Sequence, residues 1–145
     1  MLKIVIDTNL LIDGSFDAYN YGNRIIDAVI AGQIQACANA ATIRENKFIA
    51  PQKLHDDNYL QKLNYFFDAV RKVESGNRLN VVEDPEDNKI LESAVVANAD
   101  YLVTSDQHLL KLEKYEGIKI VRPNEFWNAY QGDDGWGKWL RDFIR

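Results

Sequence analysis

A chain of 145 residues with 46% hydrophobic and 27% charged residues fits one ordinary globular domain and excludes disordered and fibrous classes. Its formal net charge of -5 argues against broad electrostatic binding to nucleic acid, which shows as a basic excess, but is compatible with a carboxylate site whose charge divalent cations neutralise. One cysteine, Cys37, excludes an internal disulfide, and two histidines, His55 and His108, supply no ligand set for a structural zinc site.

The first strand-like run is LKIVI at 2–6, ending at Asp7. It is too short for a signal-peptide core, and no segment has the length to span a bilayer, so a cytoplasmic protein without membrane contact is expected. A helix over 19–31 leads to a second strand, IQACA at 34–38. Helical patterns over 39–49 and 58–74 then follow one another, with AP at 50–51 as the break. The third strand is expected at LNVV, 79–82, followed by a helix over 86–98 and a fourth strand, YLVT at 101–104. A short turn near 106–112, a fifth strand at IKIV, 118–121, and a helix over 123–130 complete the pattern. Apolar strands separated by helices predict an α/β fold, a single three-layer domain with a central, mostly parallel five-stranded sheet and helices on both faces. That domain is expected over 1–131, with no internal repeat or linker. Residues 132–145 are expected to form an amphipathic helical tail, since at helical spacing Trp136, Trp139, Leu140, Phe143 and Ile144 would share one stripe and Lys138, Arg141 and Asp142 would lie off it. The plain reading folds this tail back on its own domain, and the rival reading docks a second subunit or another protein there.

Open parallel sheets bind ligands beyond the carboxyl ends of their strands, so the residues that follow strands are informative. Here they are Asp7, Asn39, Glu83 with Asp84, Ser105 with Asp106, and Arg122. Asp7 reads equally as a helix cap and as a site residue. Glu45 has Ala41, Phe48 and Ile49 as helical neighbours, which predicts a carboxylate on an apolar face, where an acid needs an ion or a basic partner. In DPEDNKILESA, Asp84 is placed at a helix cap, Pro85 at the first helical position and Asp87 at the third. Asp87 also lies one turn before Ile90 and Leu91 and therefore points inward, which makes it the better site candidate. Asp106 closes an apolar strand as Asp7 does, and favouring the next helix's first turn is its plain alternative. His108 reads as a base or ligand, or simply as a surface-loop histidine. Four carboxylates brought together from separate elements would raise one another's pKa values unless a divalent ion compensates them. Mg²⁺ or Mn²⁺ suits such oxygen donors, and such a site activates water and stabilises in-line displacement at phosphorus.

Taken together, IVIDTNLLIDG, the glutamate of ATIREN, DPEDNKILESA, and ADYLVTSDQHLLKL followed by IKIVRPNEF resemble a PIN domain over roughly residues 3–130. The resemblance is closest to the VapC-like branch, the toxin components of toxin–antitoxin systems. It implies a metal-dependent ribonuclease with Asp7, Glu45, Asp87 and Asp106 as catalytic metal ligands and Asn9 and Thr104 orienting them. It further implies an RNA substrate, with an antitoxin protein and a second copy of the chain as further partners. Two positions depart from the pattern: many members carry an acid two residues beyond the late aspartate, where this chain has His108, and the segment after Glu45 differs. Basic residues such as Arg44, Lys47, Lys53 and Lys89 are candidates for phosphate contacts. Two rival readings fit the same residues: a PIN-fold module that binds RNA or protein without catalysis, and a phosphoacceptor receiver-type domain. Arg122-Pro123 stands where the receiver reading needs a lysine, and the paired acids it needs after the first strand are absent.

Overall fold

A computed structural model of the chain describes residues 1–13, 20–74 and 76–134. In chain order its elements are β1 (Lys3–Ile6), α1 (Thr8–Asp13), α2 (Tyr21–Ile30), β2 (Gln35–Asn39), α3 (Ala40–Lys53), α4 (Asp57–Ala69), β3 (Arg71–Val73), α5 (Pro85–Ala97), β4 (Tyr101–Val103), α6 (Gln107–Leu110), β5 (Lys114–Tyr115), β6 (Ile118–Val121) and α7 (Pro123–Asp134). The sheet runs β3-β2-β1-β4-β6-β5. Five strands are parallel, and β5 pairs antiparallel with β6 at one edge. In receiver-type sheets the first strand lies second from the edge. Here β1 is third, which removes the fold on which the phosphoacceptor reading rests.

Side-chain alternation along the central strands divides the core in two. Ile4, Ile6, Ala36, Ala38 and Val103 pack with Ile25, Ile26, Leu63, Phe66 and Phe126, which places α2, α4 and α7 on one face. Val5, Cys37 and Leu102 pack with Leu91, Ala94 and Leu109, which places α5 and α6 on the other. The three-layer α/β architecture expected from the sequence is the one observed.

The third strand is elsewhere than expected. LNVV at 79–82 forms no strand; instead the helical pattern over 58–74 ends at Ala69 and releases Arg71–Val73 to pair with β2. The backbone of 79–84 is held by side chains of α5. Glu92 Oε1 accepts from Leu79 N–H at 2.5 Å, and Asn88 Oδ1 accepts from the N–H groups of Val81 at 2.9 Å and Val82 at 3.1 Å. Asn88 Nδ2 donates to the carbonyls of Val82 at 2.7 Å and Asp84 at 3.3 Å. With these backbone groups satisfied, the segment has less call for a strand ladder. Gly76 passes so close to Val96 that a Cβ would meet that side chain.

Two smaller corrections follow from local chemistry. Pro51 does not end α3, which continues to Lys53; the break comes at 54–56, where Asp56 caps α4 by accepting from the N–H groups of Asn58 and Tyr59. The sixth strand, β5, comes from a tight hairpin: Glu116 and Gly117 have φ values of 47° and 84°, the left-handed pair of a type I′ turn. The stripe from Trp136 to Ile144 lies outside the described residues.

Asn88 is buried and makes four hydrogen bonds, so Asn88→Ala is expected to destabilise the fold by about 2–4 kcal/mol. Urea unfolding measures this, and an unchanged midpoint would refute the clamp.

Candidate functional site

The strand order reverses between β1 and β4, and the crevice beyond their carboxyl ends is the usual ligand position of such sheets. Asp7 is delivered there by β1. Its N–H donates to the Val103 carbonyl at 2.8 Å, which fixes its backbone against β4. Asp7 Oδ1 accepts from the Asn9 N–H at 3.1 Å, and Oδ2 accepts from the Thr104 hydroxyl at 2.9 Å. Asn9 itself is exposed and reaches Asp7 through its backbone. Thr104 is fully buried: its N–H donates to the Val121 carbonyl at 2.9 Å, and its Oγ1 accepts from the Asp106 N–H at 3.0 Å. One hydroxyl therefore connects Asp7 to the loop that carries Asp106.

The other acids arrive on helix starts. Asp84 caps α5 by accepting from the Glu86 N–H at 2.9 Å, Pro85 opens the helix, and Asp87 lies in its first turn, as the sequence predicts. Asp87 is 5% exposed, and its Oδ2 has no hydrogen-bond partner among the described residues. Asp106 caps α6 by accepting from the His108 N–H at 2.8 Å, and His108 Nδ1 lies 3.4 Å from the same carboxylate oxygen. Ligand atoms of Asp87, Asp106 and His108 all lie within 4.8 Å of one another.

Burial pushes the Asp87 carboxyl up to about 6, with the Asp106 charge the next cause and the charges of Asp84 and Asp7 behind it. Carboxylates only accept, so the hydrogen bond between Asp87 and Asp106 that also raises this value exists only when one of them carries a proton. An unpaired buried oxygen, a second carboxylate and an imidazole within one ion's reach form a donor set that fits a divalent cation.

The sequence profile described as PIN domain matches residues 3–108 of this chain. The chain belongs to the PIN-domain family. PIN domains are generally nucleases that use divalent metals and bind nucleic acid. The chain is also similar to a protein of Methanocaldococcus jannaschii, the uncharacterized protein MJ1680, at 26% identity over 144 residues, covering 90% of this chain and 92% of that one. No solved structure gives a significant match. No helix among the described residues is long and apolar enough to cross a membrane.

Within this PIN domain, the charges of two expected acids, Asp7 and Asp106, act on a third, Asp87, while Glu45 lies on α3 across a groove lined by Pro85, Glu86 and Asn88, the sequence neighbours of Asp87. The expectation that Glu45 lies on an apolar face is corrected. Helix α3 buries Ile43, Asn46 and Ala50, and at about 100° per residue Glu45 falls on the opposite side, where Ala41 is exposed and Phe48 is 72% exposed. Glu45 lines a groove of about 830 Å³ that runs against the first turn of α5, with five glutamates in its walls against Arg78 and Lys89. The residue that sequence reasoning under-weighted is His108. Its signal was the spacing Asp-x-His across a helix cap, where the backbone bond that caps the helix also brings the imidazole to the carboxylate.

The shift at Asp87 sets a pH dependence. Between about 4 and about 6 the folded protein holds a proton that the unfolded chain releases, so without metal this stabilisation is present in acid and is lost as pH rises through about 6. Asp87→Asn is expected to flatten that slope and to raise the stability of the metal-free protein at pH 7 relative to the native chain. Denaturation midpoints measured from pH 4 to 8 test this; an unchanged slope would show that Asp87 is not the group responsible.

Proposed function

We propose that this PIN domain is a divalent-metal-dependent ribonuclease that hydrolyses RNA phosphodiester bonds. Its metal-site carboxylates are Asp7, Glu45, Asp87 and Asp106, and its ion is Mg²⁺ or Mn²⁺. The observation that carries the reading is the buried Asp87 carboxyl, with one oxygen unpaired among the described residues, held within 4.8 Å reach of Asp106, an arrangement that costs stability unless a cation compensates it. When bound, the ion supplies Lewis acidity to the phosphoryl group and lowers the pKa of a water molecule. The chain's own residues hold and orient. Asp87 and Asp106 present oxygens to one point, Asp7 adds its charge from β1, and Thr104 fixes Asp7 relative to Asp106. Glu45 belongs to the set by its place in the family pattern, and its groove is the path proposed for the substrate, with Lys89 in the groove wall and Arg44, Lys47 and Lys53 on α3 as phosphate contacts.

The finer reading, supported by the motif resemblance, is a cytoplasmic toxin held in check by an antitoxin, with a second copy of the chain as another partner. Residues 1–131 would then act as the nuclease domain and 132–145 as its tail.

Incubation of a mixed structured and single-stranded RNA pool with Mg²⁺ or Mn²⁺ tests the enzyme. Cleavage is expected, lost with EDTA and reduced about 100-fold or more in Asp7→Asn and Asp106→Asn. Metal-dependent cleavage that survives both substitutions would end the assignment. Induced expression in a bacterial host tests the toxin role. Growth arrest that Asp106→Asn abolishes supports it, and normal growth beside an active nuclease removes it.

A further inference from the structure

The metal-site reading leaves one chemical question, which ion the site prefers, and His108 bears on it. Asp87 and Asp106 offer hard oxygen donors, and oxygen alone would suit Mg²⁺. The third group within 4.8 Å of both is an imidazole. Its placement has a structural cause. The His108 N–H donates to Asp106 Oδ1 at 2.8 Å in the cap of α6, and this local turn brings ring Nδ1 to 3.4 Å from the same oxygen. The buried Asp87 Oδ2, without a partner among the described residues, gives the cluster a donor not engaged elsewhere.

We propose that Asp87, Asp106 and His108 form a mixed oxygen–nitrogen centre that takes a first-row transition-metal dication in preference to Mg²⁺. This rests on the metal-site reading above and adds the choice of ion. Mg²⁺ dehydrates reluctantly and is bound through oxygen, so it gains little from an imidazole. First-row dications accept nitrogen donors, with affinity rising from Mn²⁺ along the series to Cu²⁺. Mn²⁺ is the weakest binder of that series and so the most demanding probe. If the imidazole favours Mn²⁺ over Mg²⁺, it favours the later ions more strongly. His108 is largely exposed, so an ion at this point is reached from solvent without opening the core.

The test uses the full chain and Mn²⁺ alone, with binding read from the loss of the free-ion electron paramagnetic resonance signal. Pulsed measurements on the bound ion are expected to show coupling to an imidazole nitrogen, and Mg²⁺ is expected to displace Mn²⁺ only at about 100-fold excess or more. In His108→Asp, an all-oxygen set, and in His108→Gln, the nitrogen coupling should vanish. In His108→Asp the preference for Mn²⁺ should also fall by about tenfold or more. Mn²⁺ bound with no nitrogen coupling, or with coupling that persists in both variants, would overturn the proposal. If that binding still disappears in Asp87→Asn, the carboxylate site itself stands. Absence of Mn²⁺ binding altogether would overturn both this proposal and the metal-site reading beneath it.

Discussion

The hydrogen bond from the Thr104 hydroxyl to the Asp7 carboxylate, 2.9 Å long and fully enclosed, is the connection on which the site depends. It crosses from the end of β4 to the end of β1 at the point where the strand order reverses, so it closes the crevice that the topology opens. The same oxygen accepts the Asp106 N–H at 3.0 Å, and the Thr104 backbone pairs with Val121 of β6. A buried carboxylate needs donors, and a buried hydroxyl needs both a donor and an acceptor. Thr104 meets these demands at once. Threonine suits the position for a second reason: its branched side chain is restricted about χ1, which favours extended backbone and keeps the hydroxyl on one bearing.

Helix α5 resolves a related conflict within a single turn. Asp87 and Asn88 are adjacent, both polar and both buried, and they are used in opposite ways. Asn88 has its amide committed to the 79–84 segment through four hydrogen bonds, which anchors the groove wall. Asp87 leaves one oxygen unmatched and takes a raised pKa. The positive end of the helix dipole offsets part of that burial, by about 0.3–1 kcal/mol, but not the repulsion from Asp106 and Asp84. A structural acid would be expected to find a donor here. That the rigid clamp sits one residue away from the unmatched acid shows that the turn is capable of full satisfaction, and that Asp87 is an exception within well-ordered surroundings.

The layered fold and the helix starts were legible because their causes are local. Apolar runs at 2–6 and 101–104 could hardly be anything but buried strands, and Asp84-Pro85 marks a helix start by the chemistry of capping alone. What failed was decided at a distance. LNVV has strand composition, but Asn88 and Glu92, 6 to 13 residues later, occupy its backbone groups, while the true third strand, Arg71–Val73, is short, two-thirds exposed and charged. The face on which Glu45 lies was not legible because α3 shows little amphipathic pattern, so the side that turns inward is set by packing of Ile43 and Ala50 and not by its sequence. His108 was legible as spacing but not as geometry, since proximity to Asp87 depends on how β4 and α5 meet.

Electrostatics then constrains how a polyanion can be handled. The groove beside Asp87 is acidic on balance, and the whole chain carries -5, so neither offers the basic field through which nucleic-acid proteins usually gather their ligand. Of the groove's two cations Lys89 is already paired with Glu86 at 3.1 Å, and Lys47, on another side of α3, is paired with Asp68 at 3.4 Å; these are exposed pairs of small worth and yield readily to a phosphate. On the ribonuclease reading, attraction for the substrate must therefore come from the cation at the carboxylates, assisted by a few local bases. On that reading the nuclease would have little general affinity for RNA, and ion occupancy would control both binding and chemistry. Such coupling would limit stray cleavage, because a phosphodiester would be held firmly only where it can reach the ion.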